Sequence, residues 1–315
     1  MTRSAVSAPI AAIDCGTNTI KLLLGDPVGD PAGVRRESRM IRLGQGVDAT
    51  GRLADEALER AWVALDEYAA LIGRAGVERI RFCATSATRD ASNAAVFAAG
   101  VRTRLGVDPE VLSGEEEARL AFDGAIRGVA GLPGVGPVDG PVLVVDIGGG
   151  STELILGDPT TGPSLAHSMD IGSVRLHERH VRHDPVTEPE IAAIVNDIDA
   201  ALASCPVDPA AAMTVVAVAG TNTTMAAGVL GLEAYDRELI HGRRLAVADV
   251  QRLVGRLLGM TVAERRALGW MHPGRADVID AGSLIVSGVL GRLAVPEVLV
   301  AETDILDGIA WSLVG

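Results

Sequence analysis

Residues 144–158 read VVDIGGGSTELILGD: an apolar strand ending in Asp146, a run of three glycines and a hydroxyl, then a second apolar strand closing on Gly157-Asp158. Residues 12–26 read AIDCGTNTIKLLLGD and repeat that pattern. Asp14 aligns with Asp146, 132 positions on (146 − 14), Gly16 with Gly148 and Thr19 with Ser151. The turns Gly25-Asp26-Pro27 and Gly157-Asp158-Pro159 close both second strands. A third strand is predicted after each hairpin, at 39–43 and 167–171. Later an apolar strand ends in a small-residue turn in each half, 80–84 into Thr85-Ser86 and 215–219 into Gly220-Thr221. The chain reads as two copies of one α/β domain.

Helical periodicity is present at 55–74, where Leu58, Trp62, Leu65, Ala69 and Ile72 share a face, and at 91–105, 115–129, 188–204, 247–260, 276–293 and 303–314. Short strands fall at 111–112 and 298–301. The segment GVAGLPGVGPVDGP, 128–141, is too rich in Gly and Pro for regular structure. It divides the chain into domains 1–130 and 131–315, with the last helix able to return to the first domain; the alternative is a surface loop within one domain. Two facing copies would bring both hairpins to one interdomain cleft.

Composition narrows the function. The 315 residues carry 28 Lys+Arg against 41 Asp+Glu, a net charge of −13, and 3% aromatics, which argues against a nucleic-acid partner. An apolar content of 48% with 22% charged residues suits a chain with a real core, not a disordered one. Cys15, Cys83 and Cys205 are odd in number and far apart, which fits neither a disulfide framework nor a zinc site and points to the cytoplasm. No apolar stretch of membrane-spanning length occurs, so a soluble protein is expected.

Gly148, Gly149 and Gly150 tolerate positive φ, so successive N–H groups could turn toward one anion, with Ser151 adding a hydroxyl donor. Asp146 leaves the first strand where Glu153 enters the second, and two hard carboxylates beside a phosphate cradle suit Mg²⁺ or Mn²⁺. The alternative is a glycine hairpin with solvated acids. In the first copy Gly16, Thr17, Asn18 and Thr19 form the corresponding loop, and Lys21, the only lysine, stands where the second copy has Glu153. Lys21 reads as a phosphate-side cation or as an edge-strand residue reaching into solvent. A cation on one side of a phosphate and a metal carboxylate on the other suits phosphoryl transfer.

In Ser113-Gly114-Glu115-Glu116-Glu117 a helix begins. Ser113 is placed to cap it, Glu116 to complete a capping box, and Glu115 to meet the helix dipole. Glu117 starts the stripe Glu117, Leu120, Ala121, Gly124, where a shielded carboxylate could act as general base on water; the alternative is an acidic helix start. Arg89 at a helix start and Gly220-Thr221 after a strand are anion-binding or capping turns. His177, His180 and His183 recur at every third position of a polar helix and read as a solvated face, not a metal site.

Taken together, DCGTNTIKLL, TSATRDA, SGEEEARL, DIGGGSTEL, the Ala219-Gly220-Thr221 turn and HPGRAD at 272–277 occur in an order that resembles the exopolyphosphatase and guanosine pentaphosphate phosphohydrolase (Ppx/GppA) family. That family lies within the actin-like ATPase superfamily. The resemblance implies two ribonuclease-H-like domains with mixed sheets flanked by helices, in the short two-domain class. It implies Glu117 as the catalytic glutamate, Asp146 and Glu153 as metal-associated acids with Asp14 their counterpart, and Arg89 as a phosphate contact. Homodimers are frequent among such proteins. Between Glu302 and Gly308 this sequence lacks an arginine found before the acidic-Gly pair in many relatives. The expected activity is Mg²⁺-dependent release of terminal orthophosphate from inorganic polyphosphate. Hydrolysis of guanosine pentaphosphate (pppGpp) is the alternative. A sensor that binds such anions without hydrolysis, or an actin-like kinase, is the reading of a different class.

Overall fold

In the computed structural model residues 8–84, 88 and 91–314 are described. They fold as two compact units, one within Met1–Leu120 plus Ile305–Gly315, the other Ala121–Asp304.

In the first unit β1 (Ile10–Cys15) pairs antiparallel with β2 (Thr19–Gly25), which pairs antiparallel with β3 (Arg35–Met40). On its other side β1 runs parallel to β4 (Arg79–Ala84), followed by β5 (Glu110–Val111), giving the order β3-β2-β1-β4-β5. All six residues of β1 are buried, as in a central strand covered on both faces. The helix Asp55–Ala75 buries Leu58, Ala61, Leu65, Tyr68 and Ile72. Trp62 turns aside to stack on Phe97 at 5.8 Å. The helix Ile305–Val314 packs on β1, β2 and β4. It is tied there by Asp307, 3% exposed, which accepts from Nη1 and Nη2 of Arg36 on β3.

The second unit repeats the arrangement. β6 (Val142–Ile147), β7 (Thr152–Asp158) and β8 (Gly162–Met169) form the antiparallel meander. β9 (Thr214–Val218) lies parallel to β6, and β10 (Arg243–Ala246) and β11 (Glu297–Val300) complete the order β10-β11-β9-β6-β7-β8. β9 and β11 take the places of β4 and β5, and β10 is an added antiparallel edge. Two mixed sheets flanked by helices, each in the ribonuclease-H-like order, establish the duplicated fold. Its second core joins strands to the helices Glu188–Ser204, Val247–Leu258 and Ile279–Leu290.

Several boundaries differ from the sequence reading. The third strands lie at Arg35–Met40 and Gly162–Met169, not 39–43 and 167–171. Ile41 and Leu43 are buried, yet this segment leaves the sheet because the Ile41 and Arg42 amides donate to the Asn18 carbonyl at 3.0 and 2.9 Å. The units divide at Leu120, inside the helix Gly114–Val129, rather than at position 130. The Gly- and Pro-rich segment belongs to the second unit: the Gly128 carbonyl accepts from His241 Nε2 at 3.0 Å and the Val135 carbonyl from Arg244 Nη2 at 3.0 Å. Among the described residues no helix is long and apolar enough to cross a membrane.

Candidate active site

The glycine loop between β6 and β7 is shaped by the histidine-bearing polar helix, to which the sequence reading gave no part in the site. Ser173–His180 begins beneath it: the Ser173 amide donates to the Gly148 carbonyl (3.0 Å), and the Val174 and Arg175 amides donate to that of Gly149 (2.9 and 3.1 Å). Arg175 Nε donates to the Gly150 carbonyl at 2.8 Å. In a trans peptide the N–H points opposite to the C=O. Three carbonyls fixed on the helix side therefore direct the N–H groups of Gly149, Gly150 and Ser151 to the opposite side, as an anion cradle requires. Positive φ, the device expected from the sequence, is not used here: among the described residues the positive-φ glycines lie elsewhere, at Gly25, Gly162 and Gly231 for example. Close approach is the device, since a Cβ at Gly172 would lie 2.4 Å from the Gly149 carbonyl oxygen.

Both hairpins share one register. Asp146 stands opposite Glu153, and Asp14 opposite Lys21. Opposed residues of an antiparallel pair share a face, so the second hairpin presents two carboxylates and the first an ion pair, with Lys21 Nζ 3.8 Å from Asp14 Oδ2. Asp146 and Glu153 are half-buried, Asp14 buried. Ser168, opposite Glu153 on β8, donates its hydroxyl to Glu153 Oε1 at 2.6 Å. Among the described residues no three His, Cys, Asp or Glu side chains form a metal-holding group. Two hard carboxylates beside an amide cradle still fit Mg²⁺, which commonly takes one or two carboxylates and fills its shell with water and phosphate oxygens.

The first loop closes as the second does: Gly16 N–H donates to the Thr19 carbonyl at 2.9 Å, and Gly148 N–H to that of Ser151 at 3.0 Å. Thr17 and Asn18 are buried, and Asn18 Oδ1 has no hydrogen-bond partner among the described residues. In the helix Gly114–Val129, Ser113 Oγ accepts from the Glu116 amide at 3.2 Å, the expected cap. The Glu116 carboxylate goes instead to Arg81 of β4, with Nη2 to Oε1 at 2.6 Å. Glu117, half-buried, lies in the first turn of this helix.

Gly220 and Thr221 occupy the first turn of the helix Ala219–Val229, directly after β9. The preceding junction is strained, since Ala219 has φ 65°, a conformation rare for a residue with a Cβ. Asn222 braces it, donating Nδ2 to the carbonyls of Val145 (3.1 Å) and Val218 (2.7 Å) and so joining β6 to β9. Arg275, from the 272–277 motif, donates Nη1 to the Gly220 carbonyl at 2.7 Å and to Thr224 Oγ1 at 3.0 Å. A Cβ at Gly220 would lie 2.0 Å from that guanidinium, so the arginine would have to shift to admit any other residue.

A model of the Ppx/GppA phosphatase family matches residues 27–315. The chain belongs to the Ppx/GppA phosphatase family. It is 44% identical to Exopolyphosphatase 2 of Mycobacterium tuberculosis over 97% of this chain and 98% of that protein. A solved structure of an exopolyphosphatase-like protein is 42% identical, with a TM-score of 0.88 over 96% of this chain and 98% of the other. The Aquifex aeolicus member of the Ppx/GppA family is 30% identical, with a TM-score of 0.78 over 97% of each chain.

In this Ppx/GppA chain Arg89 lies outside the described residues, as do Thr85 and Ser86. Arg175, Ser168 and Arg275 are the site-forming residues that sequence reasoning did not assign; only Arg275 fell in a motif already noted. The histidines do not form one solvated face, since only His183 is exposed and His177 and His180 are partly buried. The helix ends at His180, and His177, His180 and His183 pair with Asp280, Asp197 and Glu190 at 2.9, 2.8 and 2.9 Å. Burial, reinforced by Asp14, raises the Cys15 thiol well above its ordinary value, and burial pushes Cys83 up to about 12. Both stay protonated near neutral pH, so neither is a nucleophile.

Proposed function

We propose that this chain is an exopolyphosphatase, hydrolysing the terminal phosphoanhydride of inorganic polyphosphate and releasing orthophosphate. The observation that carries the reading is the fixed peptide planes of Gly148–Gly150 beside the opposed carboxylates of Asp146 and Glu153. The N–H groups of Gly149, Gly150 and Ser151 receive the oxygens of a terminal phosphate, and the Ser151 hydroxyl adds a donor. In the first unit the loop Gly16, Thr17, Asn18 and Thr19 has the same part, with the Lys21 ammonium supplying positive charge beside Asp14. Gly220 and Thr221, with Arg275 against them, offer a further anion-favouring helix start. Arg89 is assigned a phosphate contact through the family motif.

Asp146 and Glu153, with Asp14 as their counterpart, are the residues proposed to hold Mg²⁺ or Mn²⁺. Such an ion would neutralise charge on the phosphoryl oxygens and the departing oxygen. Glu117 orients water and takes its proton as the oxygen attacks phosphorus; the anhydride P–O bond breaks in line, and the shortened chain leaves with that bond's electron pair. The acidic balance of the chain makes local donors and a divalent ion the means of attracting a polyanion. A cytoplasmic setting is part of the same proposal, supported by the substrate class and by cysteines that form no disulfide among the described residues.

Phosphate release measured with and without Mg²⁺, on polyphosphates of several lengths and on guanosine pentaphosphate, tests the reading. Metal-dependent release with higher kcat/KM on polyphosphate is expected. A marked preference for the nucleotide would replace the substrate while retaining the site, and binding without release would make the protein a sensor.

A further inference from the structure

Beneath the cradle lies a buried ionic chain with no part in the chemistry above. Arg265 and Asp280 are each 1% exposed, with Nη1 3.2 Å from Oδ2. Asp280 Oδ1 accepts the Ala281 amide at 2.7 Å and lies 2.9 Å from His177 Nδ1. An ionised carboxylate only accepts, so that ring nitrogen carries a proton. Desolvation offsets much of the attraction within a buried ion pair, so net stability is a weak reason for its presence.

Its position supplies a better one. His177 belongs to the helix Ser173–His180, whose first amides hold the Gly148 and Gly149 carbonyls. Asp280 opens the helix Ile279–Leu290. Two residues on, Gly282 abuts the starts of two helices: a Cβ added there would lie 3.1 Å from Ser173 Cβ and 3.0 Å from Thr221 Cγ2. One helix thus bears on the brace of the glycine cradle and on the Gly220-Thr221 turn.

We propose that His177 and Asp280 are positioning residues: the Arg265–Asp280–His177 chain locks the Ser173–His180 helix against Ile279–Leu290 and so fixes the aim of the 149–151 amides relative to the Gly220-Thr221 turn. The claim rests on the cradle binding phosphate, as the proposed function holds. His180 is the internal control. It sits on the same helix and pairs with Asp197 at 2.8 Å, but that carboxylate is a third exposed and belongs to a different helix, Glu188–Ser204.

The test compares His177→Ala, His177→Asn and His180→Ala in two measurements: kcat and KM for phosphate release from long-chain polyphosphate, and hydrogen exchange of the amides that hold the loop, Gly148 and Ser173 to Arg175. His177→Ala is expected to lower kcat/KM by about 10- to 100-fold, as small misplacements of a site do, and to speed exchange of those amides. His177→Asn, whose amide donates from near the Nδ1 position, restores most of both, while His180→Ala matches wild type. If His177→Ala does not fold, His177→Gln replaces it, with the same expected loss. Wild-type kinetics and exchange in the Ala or Gln variant overturn the proposal, as does a loss shared equally by Asn and by His180→Ala. Exchange needs no substrate, so wild-type protein that releases no phosphate from polyphosphate sinks the proposed function while the loop measurement still decides this one.

Discussion

Lys21 and Glu153 hold the same register position in two repeated hairpins, each directly opposite an aspartate, Asp14 in one and Asp146 in the other. The duplication kept the backbone and reversed one charge. Glu153→Lys should therefore turn the second hairpin into an ion pair like the first without unfolding it. Activation by Mg²⁺ should disappear, with activity down about 10²–10³-fold. Titration of activity against metal concentration, alongside circular dichroism, checks this; an unchanged activation curve removes Glu153 from the metal set.

Glu117→Gln keeps the size of the side chain and removes the proton acceptor. For a general base the loss in kcat should be about 10²–10⁴-fold with KM nearly constant. Near-wild-type turnover in a folded variant would end the assignment.

Gly172→Ala places a Cβ 2.4 Å from the Gly149 carbonyl oxygen. The loop must move, at a cost of about 1–3 kcal/mol for overpacking, and the cradle loses its aim. Urea unfolding and the KM for polyphosphate should both report the change, the second rising.

Asp307→Ala strips the Arg36 guanidinium of its bidentate partner beneath the helix Ile305–Val314. Arg36 is a quarter exposed, so the expected loss is at the lower end for broken buried pairs, about 2–4 kcal/mol. Arg36→Met with Asp307→Leu should recover most of it in the same denaturation assay.

Two carboxyls give opposite pH dependences. The Glu190 carboxyl is held at about 2, below its ordinary 4.5, first by the Thr187 amide and then by His183. Its stabilisation is complete above about pH 4.5 and lost as pH falls toward 2. Burial pushes Glu302 above its ordinary value, Asp304 adding to the effect against Tyr235, Arg237 and Arg275. There the folded state prefers the proton, so stability falls as pH rises through the raised value. Unfolding midpoints across pH should show Glu190→Gln flattening the acid limb, and wild type losing ground to Glu302→Gln as pH rises above the ordinary 4.5.

The duplication, hairpins and opposed acids were legible because each is written in adjacent residues with a period-2 or turn signature. Glu117 stood out for the same local reason, a carboxylate on the apolar stripe of its helix. What escaped notice depends on distant partners: His177 meets Asp280 across 103 positions, and Arg275 meets Gly220 across 55. The Gly148–Gly150 run suggested positive φ, yet the requirement for glycine is clearest at Gly172, where the backbone of Gly149 and Gly150 comes too close for a Cβ. The strand starts were misplaced because Ile41 and Leu43 are as apolar as strand residues but are buried by a loop.

The first unit needs residues from both sides of the second in the chain, for Ile305–Val314 covers β1 and Asp307 anchors Arg36. Synthesis is vectorial, so this order has a kinetic consequence. The contiguous unit Ala121–Asp304 is synthesised in full before the helix that covers β1 is made. The part made first is therefore the part completed last, and its apolar strand must wait through translation of the whole second unit.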